Sequence, residues 1–355
     1  MFIRNSWYVA AWPHELDNQR PVARTLLNEP VVLYRQADGK PVALEDRCCH
    51  RGLPLSRGEL VGNLIQCGYH GLQYDCAGQC VKVPGQVAVP PSARVRSYPV
   101  VERDQAVWIW MGEPALADEA SIVPYPWHNP GSGWAHRKEY YVIDCNYELM
   151  NDNLMDLSHL GFVHKNTIGG NPEIHVNAEM KVTRGDNTVK AVRWMLNSTP
   201  PPTYTKSVTS LGEKVDRWQE IEYFSGLIRI YTGAVNVGQG AQQGQREGGF
   251  GLRIFDGITP ETESSMHYFW SAAHSFDIDN PATTELVYQQ IDTTFQEDKA
   301  ILKWQQEMLH KAPGRSLVDI NGDVAGIQVR RIIARRLAEE AAARRPAAPR
   351  ETEPA

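Results

Sequence analysis

The sequence predicts an α+β fold whose first domain is all-β, and three observations lead to that reading. Residues 1 to about 115 fall into short apolar runs separated by turn residues. A stretch rich in Pro, Trp and Gly, Asp118 to Gly133, separates them from the rest. Beyond it, strand candidates alternate with two segments of helical periodicity. A chain of 355 residues predicts two domains, or one large one, and 42% hydrophobic content is ample for real cores. We read residues 1–117 as the first domain, 118–340 as the second and 341–355 as a disordered tail.

In chain order, Pro30-Val31-Val32-Leu33-Tyr34 and Val42-Ala43-Leu44 read as strands, with Asp38-Gly39 and Ala77-Gly78 as turns. Val107-Trp108-Ile109-Trp110-Met111 is a dense strand stopped by Gly112. Strand candidates in the second domain are Glu139 to Ile143, Leu227 to Tyr231 and Met266 to Trp270. Asn197 to Thr203, with three consecutive prolines, reads as a stiff connector. Gly238 to Gly251, with six glycines and four glutamines, is a loop that either covers a pocket or lies plainly on the surface. Helices are expected at about 147–160 and 284–310. From about 338 the Ala/Arg/Glu/Pro-rich chain reads as a fraying helix end and tail.

Composition narrows function. The formal net charge is −6 and no long basic run precedes the tail, which argues against a nucleic-acid partner. The N-terminus lacks a signal-peptide core and no stretch is apolar for 18 residues, so a soluble, cytoplasmic protein is expected. In that compartment six cysteines do not imply disulfides. Cys76 and Cys80 flank a glycine turn and read as small buried residues of a hairpin, with a metal pair as the alternative.

Two clusters carry chemistry. Cys48 and His50 stand in Cys-Cys-His, and Cys67 and His70 in Cys-Gly-Tyr-His, with sixteen residues between them. One thiolate and one imidazole from each cluster suits a Rieske 2Fe-2S centre, in which two histidines replace two cysteines on one iron. A structural zinc site is the alternative, but it commonly groups cysteines in one cluster and histidines in the other. Respiratory-chain Rieske proteins add a cysteine to each loop and a serine after the second glycine; here those positions are Leu53, Tyr69 and Leu72. Fewer hydrogen bonds to the cluster sulfurs imply a low potential.

Residues 150 to 164 hold a second constellation. On a helix, Asp152, Asn153, Asp156 and His159 fall within about a third of the circumference, opposite Met150, Leu154 and Leu157. An ordinary amphipathic helix gives the same pattern. Gly161 is expected to end that helix, with His164 just beyond it. In the later helix Asp298 interrupts the apolar stripe Val287, Ile291, Phe295 and Leu302, whereas Asp292 and Glu297 lie off it. A buried carboxylate is costly unless paired or metal-bound. His159, His164 and Asp298 thus form a candidate two-His-one-carboxylate site for non-haem Fe(II). A salt bridge from Asp298 to an internal cation is the alternative.

The order Cys-x-His, Cys-x2-His, Asn-x2-Asp-x2-His-x4-His and a distant Asp resembles the Rieske non-haem iron aromatic oxygenases over nearly the whole chain. The opening Met1-Phe2-Ile3-Arg4-Asn5-Ser6-Trp7-Tyr8-Val9-Ala10-Ala11-Trp12 and Ile258-Thr259-Pro260-Glu261-Thr262-Glu263 look like the branch of vanillate and dicamba O-demethylases and toluenesulfonate methyl-monooxygenase. Cys49 departs from the proline that many relatives carry there, which puts the stiffness and oxidation resistance of that loop in doubt.

The resemblance implies a Rieske domain followed by a helix-grip-like catalytic domain with an antiparallel sheet. It implies a 2Fe-2S cluster on Cys48, His50, Cys67 and His70, and mononuclear iron on His159, His164 and Asp298. A separate NADH-linked reductase, flavin- or ferredoxin-type, supplies electrons. Asp156 is expected to bridge His159 to a Rieske histidine of the neighbouring subunit in a homotrimer. Asn153 is expected near the iron. The implied reaction is monooxygenation of a small aromatic acid in aromatic catabolism, foremost O-demethylation of a methoxybenzoate with release of formaldehyde. Hydroxylation of an aromatic methyl group comes next, then ring dihydroxylation. Arg229, His267 and Asn236 are candidate partners for the acid, though strand-surface roles suit them equally. An electron carrier without oxygenase activity is a different class of reading, and it has no use for His159, His164 and Asp298.

Overall fold

The computed structural model describes residues 1–344. The N-terminal strands are β1 (Trp7–Ala11), β2 (Val22–Leu26), β3 (Glu29–Arg35), β4 (Pro41–Glu45), β5 (Glu59–Val61) and β6 (Leu64–Gln66). β7 (Gln73–Tyr74), β8 (Cys80–Lys82), β9 (Ser97–Tyr98), β10 (Val100–Arg103) and β11 (Ala106–Trp110) complete them. They form three small antiparallel sheets in the orders β1-β11-β10, β2-β3-β4-β9 and β5-β6-β7-β8. The β4–β5 loop carries Cys48 and His50, and the β6–β7 loop carries Cys67 and His70.

The two loops are closed in the same way. The Gly52 N–H donates to the Cys48 carbonyl and the Cys48 N–H to the Leu53 carbonyl; Gly71 and Leu72 repeat both bonds around Cys67. Gly52 and Gly71 take φ of +73° and +72°, the left-handed region open to glycine at little cost. The Cys76 and Cys80 expectation needs one correction: Cys80 is buried, but Cys76 is exposed at the turn.

The larger part holds β12 (Ala135–Ile143), β13 (Glu179–Arg184), β14 (Val189–Ser198), β15 (Val215–Phe224), β16 (Leu227–Asn236), β17 (Phe250–Thr262) and β18 (Ser265–His274). Its helices are α1 (Tyr147–Met155), α2 (Leu160–Val163), α3 (Pro172–Val176), α4 (Pro202–Ser207), α5 (Pro281–Lys311) and α6 (Val324–Ala343). One seven-stranded antiparallel sheet runs β12-β18-β17-β16-β15-β14-β13. Helix α5 lies against β12 and β18, the helix-grip-like arrangement. Asn280 caps it by accepting from the Ala282 N–H, and Val287, Ile291, Phe295 and Leu302 are buried. Each such side chain stabilises the packing by roughly 1.5–3 kcal/mol. The two parts share a seam, since Trp12 packs on Phe255 and Phe269 of the large sheet at 5.7 and 5.8 Å between ring centroids.

Four expectations are corrected. The helix expected at 147–160 stops at Met155, and Asp156 is extended, at φ −119° and ψ 99°. Its carboxylate accepts from the Ser158 N–H and hydroxyl, both at 2.8 Å, and so caps the next turn. That local capping bond competes with helix continuation. Gly161 does not end a helix but lies inside α2; a Cβ there would come 2.3 Å from Pro172 Cα, so α2 and α3 pack backbone to backbone. The connector expected at 197–203 is instead the end of β14 followed by the start of α4. Of the tail expected from 341, residues 341–343 belong to α6; the rest of that expectation lies outside the described residues.

Candidate metal centres and active-site cavity

At the first site Cys48 and Cys67 are buried while His50 and His70 are exposed, with ring centroids 4.6 Å apart. Two thiols inside and two imidazoles at the surface suit a cluster with a buried sulfur-ligated iron and an accessible histidine-ligated iron. The sequence reading missed Tyr74. Its hydroxyl lies 3.1 Å from Cys48 Sγ and 3.2 Å from Cys49 Sγ. So, although Leu53 and Leu72 offer no side-chain donor, one hydroxyl donor faces a ligand sulfur.

At the second site His159 ends the turn that Asp156 caps, His164 follows α2, and Asp298 lies midway along α5. One donor atom from each lies within 4.8 Å of the others. His159 Nδ1 donates to the Asp156 carbonyl at 2.7 Å, and His164 Nδ1 to Glu297 Oε2 at 2.7 Å. Both rings therefore turn Nε2 inward, 3.7 and 3.1 Å from Asp298 Oδ1. Asn153 Nδ2 donates to the same oxygen at 3.0 Å. Asp298 is 3% exposed, and among the described residues these groups and no Lys or Arg side chain surround it. Two imidazole nitrogens and one oxygen of the buried Asp298 carboxylate fit the donor set of a non-haem Fe(II) site.

Burial lowers the pKa of His159. On His164 burial acts in the same direction, but the Asp298 and Glu297 carboxylates outweigh it and the pKa rises. Glu297, which lies off the helix stripe, was not legible as a site residue because its partner comes from another element. Asp156 meets His159 through its carbonyl; its carboxylate faces Ser158, Gly322 and Arg193 Nη1, the last at 3.6 Å. Asp152 pairs with Arg330 instead of joining the site.

The three donors open on a cavity of about 40 Å³ walled by Leu157, Ile168, Tyr204, Ile254 and Phe295, with Gln219 among the few polar groups. A cavity that takes up benzene without rearrangement is about 150 Å³. An aromatic ring must therefore displace side chains to enter. Residues 238–249 contribute nothing to this lining; Arg246 packs over Trp194, Trp218 and Tyr231 instead. The three acid-binding candidates are engaged elsewhere. Arg229 pairs with Glu222, His267 bonds Tyr140 and the Thr25 carbonyl, and Asn236 accepts from the Gly212 N–H.

A Rieske-type domain and a two-His-one-carboxylate site facing an apolar cavity define an O2-using oxidoreductase fed with single electrons. Residues 6–99 match the Rieske 2Fe-2S domain family, and residues 143–339 match the vanillate O-demethylase oxygenase C-terminal domain. The chain is 40% identical over 343 residues to the toluene-4-sulfonate monooxygenase system iron-sulfur subunit of Comamonas testosteroni, covering 96% of this chain and 98% of that one. It is 39% identical over 311 residues to the dicamba O-demethylase oxygenase component of Stenotrophomonas maltophilia, covering 85% and 87%. It superposes on dicamba monooxygenase bound to 3,6-dichlorosalicylic acid with a TM-score of 0.89 at 36% identity, covering 96% and 99%. The chain belongs to the vanillate O-demethylase oxygenase family of Rieske oxygenases. Its cofactors are a Rieske 2Fe-2S cluster and mononuclear non-haem iron, and a separate reductase serves it. Among the described residues no helix is long and apolar enough to cross a membrane.

Proposed function

We propose that this chain O-demethylates a small methoxylated aromatic acid of the vanillate type, and that Cys48, His50, Cys67 and His70 hold the cluster while His159, His164 and Asp298 hold the iron. The observation that carries this reading is the convergence of two inward Nε2 atoms and a buried carboxylate at the mouth of an apolar cavity. When bound, the two centres supply electrons and O2 activation. The chain's own residues do the rest. Glu297 and the Asp156 carbonyl hold the imidazoles in one tautomer, Asn153 holds Asp298, and the apolar walls exclude water. Hydroxylation of the methoxy carbon consumes one O2, two electrons and two protons. It yields water and a hemiacetal, which collapses to formaldehyde and a phenol.

The 40% identity to a toluene-4-sulfonate monooxygenase subunit favours a second reading, hydroxylation of an aromatic methyl group. We place the division between cluster and catalytic domains at residues 117/118. A homotrimer passing electrons from a neighbour's cluster histidine through Asp156 is supported by exposed apolar side chains on α2 and α5: Phe162, Trp304 and Met308 are 65%, 62% and 60% exposed. A flavin- or ferredoxin-type reductase and a cytoplasmic location fit this assignment, the latter supported by six cysteines of which none forms a disulfide. The test supplies a generic reductase and NADH with methoxybenzoates and 4-toluenesulfonate. Formaldehyde in step with O2 uptake is expected. O2 uptake that yields a benzylic alcohol selects the second reading, and no substrate-dependent uptake with either class removes both.

A further inference from the structure

The proposed substrates are anions, and one buried side chain just behind the cavity wall is suited to receive their charge. Arg217 lies on β15, two residues before the cavity-lining Gln219 and on the same face of the sheet. Its guanidinium sits 5.0 Å from the Tyr204 ring centroid, and Nη2 donates to the Ile168 carbonyl at 3.4 Å; both neighbours line the cavity. The residue is only 1% exposed. Nε and Nη1 find no acceptor among the described residues, and no described carboxylate pairs with the group.

Arg193, which pairs with Gln219 on the adjacent strand, also leaves Nε and Nη1 without a hydrogen bond but has a counter-ion. It is 4% exposed, has Asp156 at 3.6 Å and donates to the His175 carbonyl. His175 is wholly buried, and burial, with the nearby Arg217 charge next, pushes it down to about 4. It stays neutral and adds no second positive charge. A buried guanidinium without a counter-ion is costly, and an arriving anion relieves that cost. A carboxylate or sulfonate also accepts the N–H groups left free.

We propose that Arg217 is the substrate-binding residue that takes the carboxylate or sulfonate of the aromatic substrate, leaving its methoxy or methyl end toward His159, His164 and Asp298. This rests on the aromatic-acid reading above. Arg217 does not itself line the cavity; it stands behind Tyr204 and the Ile168 carbonyl, so the acid group reaches it past Tyr204.

The test uses full-length holoenzyme, wild type beside Arg217→Met and Arg217→Lys. Two anions, vanillate and 4-toluenesulfonate, are set against two neutral counterparts, vanillyl alcohol and 4-toluenesulfonamide. Anaerobic titration calorimetry reads binding; substrate-dependent O2 uptake reads KM and kcat. Arg217→Met is expected to weaken the anion that wild type binds by about 10–100-fold. It should leave the neutral counterpart and the Rieske absorbance unchanged, and Arg217→Lys should recover part of the loss. Whichever anion shows the Arg217-dependent loss identifies the acid group. Unchanged anion affinity in Arg217→Met, equal weakening of anion and neutral analogue, or a wild type that binds neither anion overturns the assignment. Arg217-dependent binding without O2 uptake keeps the subsite and removes the oxygenation of that acid. Turnover of the acid with KM untouched by Arg217→Met keeps the reaction and removes Arg217.

Discussion

Glu297 and Tyr74 act one bond away from proposed metal ligands, and each has a measurable consequence. Glu297 accepts from His164 Nδ1 at 2.7 Å and so turns Nε2 toward Asp298. Removing such a partner typically weakens metal binding by about 10–100-fold. Glu297→Gln should accordingly shift the Fe(II) titration of the mononuclear site by that factor while the cluster spectrum stays intact; an unmoved titration means that Glu297 does not orient the ring. Tyr74 places a hydroxyl 3.1 Å from Cys48 Sγ. A donor to the ligand sulfur favours the reduced, more negative cluster. One hydrogen bond is worth about 1 kcal/mol, or about 40 mV for a one-electron couple. Redox titration of Tyr74→Phe should show a midpoint lower by tens of millivolts, and an equal or higher midpoint contradicts this.

At the scale of elements, the segment from α1 to α3 sets the two histidines. Asp156 breaks the helix, a single turn presents His159, and four residues of α2 deliver His164. Gly161 lets α2 touch α3 at Pro172. Gly161→Ala must push those backbones apart. It should lower the thermal midpoint and also deplete the mononuclear iron, because His159 and His164 flank the displaced turn. Full iron occupancy in that variant would separate the packing from the site.

The same segment shows what was legible beforehand. His159 and His164 stood out by spacing, and Asp298 by interrupting an apolar stripe. Both signals are local, and the structure gathers the three residues. The break at Asp156 was hidden because apolar periodicity runs on through a residue whose capping preference wins. Glu297, Tyr74 and Arg217 were hidden for another reason. Each meets its neighbours across elements, just past α2, in the β4–β5 loop and on α4, and sequence spacing does not encode those pairings. Arg229, His267 and Asn236 had the right chemistry, but they are already held by strand and loop partners.

Across the whole molecule, one hydrophobic core runs through both parts, and they also meet at an aromatic seam that buries titratable groups. His128 and His136 lie there with rings 4.8 Å apart. Burial, then the Lys138 charge, lowers both, His136 to about 4 from an ordinary 6.5. The folded protein keeps them neutral, while the unfolded chain takes up protons near 6.5. Their contribution to stability is therefore present above about pH 6.5 and is lost as pH falls toward 4. The thermal midpoint should drop between pH 7 and pH 5, and His136→Asn should flatten that slope. A slope unchanged in the variant places the acid sensitivity elsewhere.

The account depends on electrons that enter at the N-terminal cluster and are used at a separate iron held by His159, His164 and Asp298. Metal analysis of Asp298→Ala, combined with its absorbance spectrum and substrate-dependent O2 uptake, tests this most directly. The account predicts an unchanged cluster spectrum, loss of the mononuclear iron and loss of oxygenation. A variant that keeps full iron content and wild-type oxygenation contradicts it.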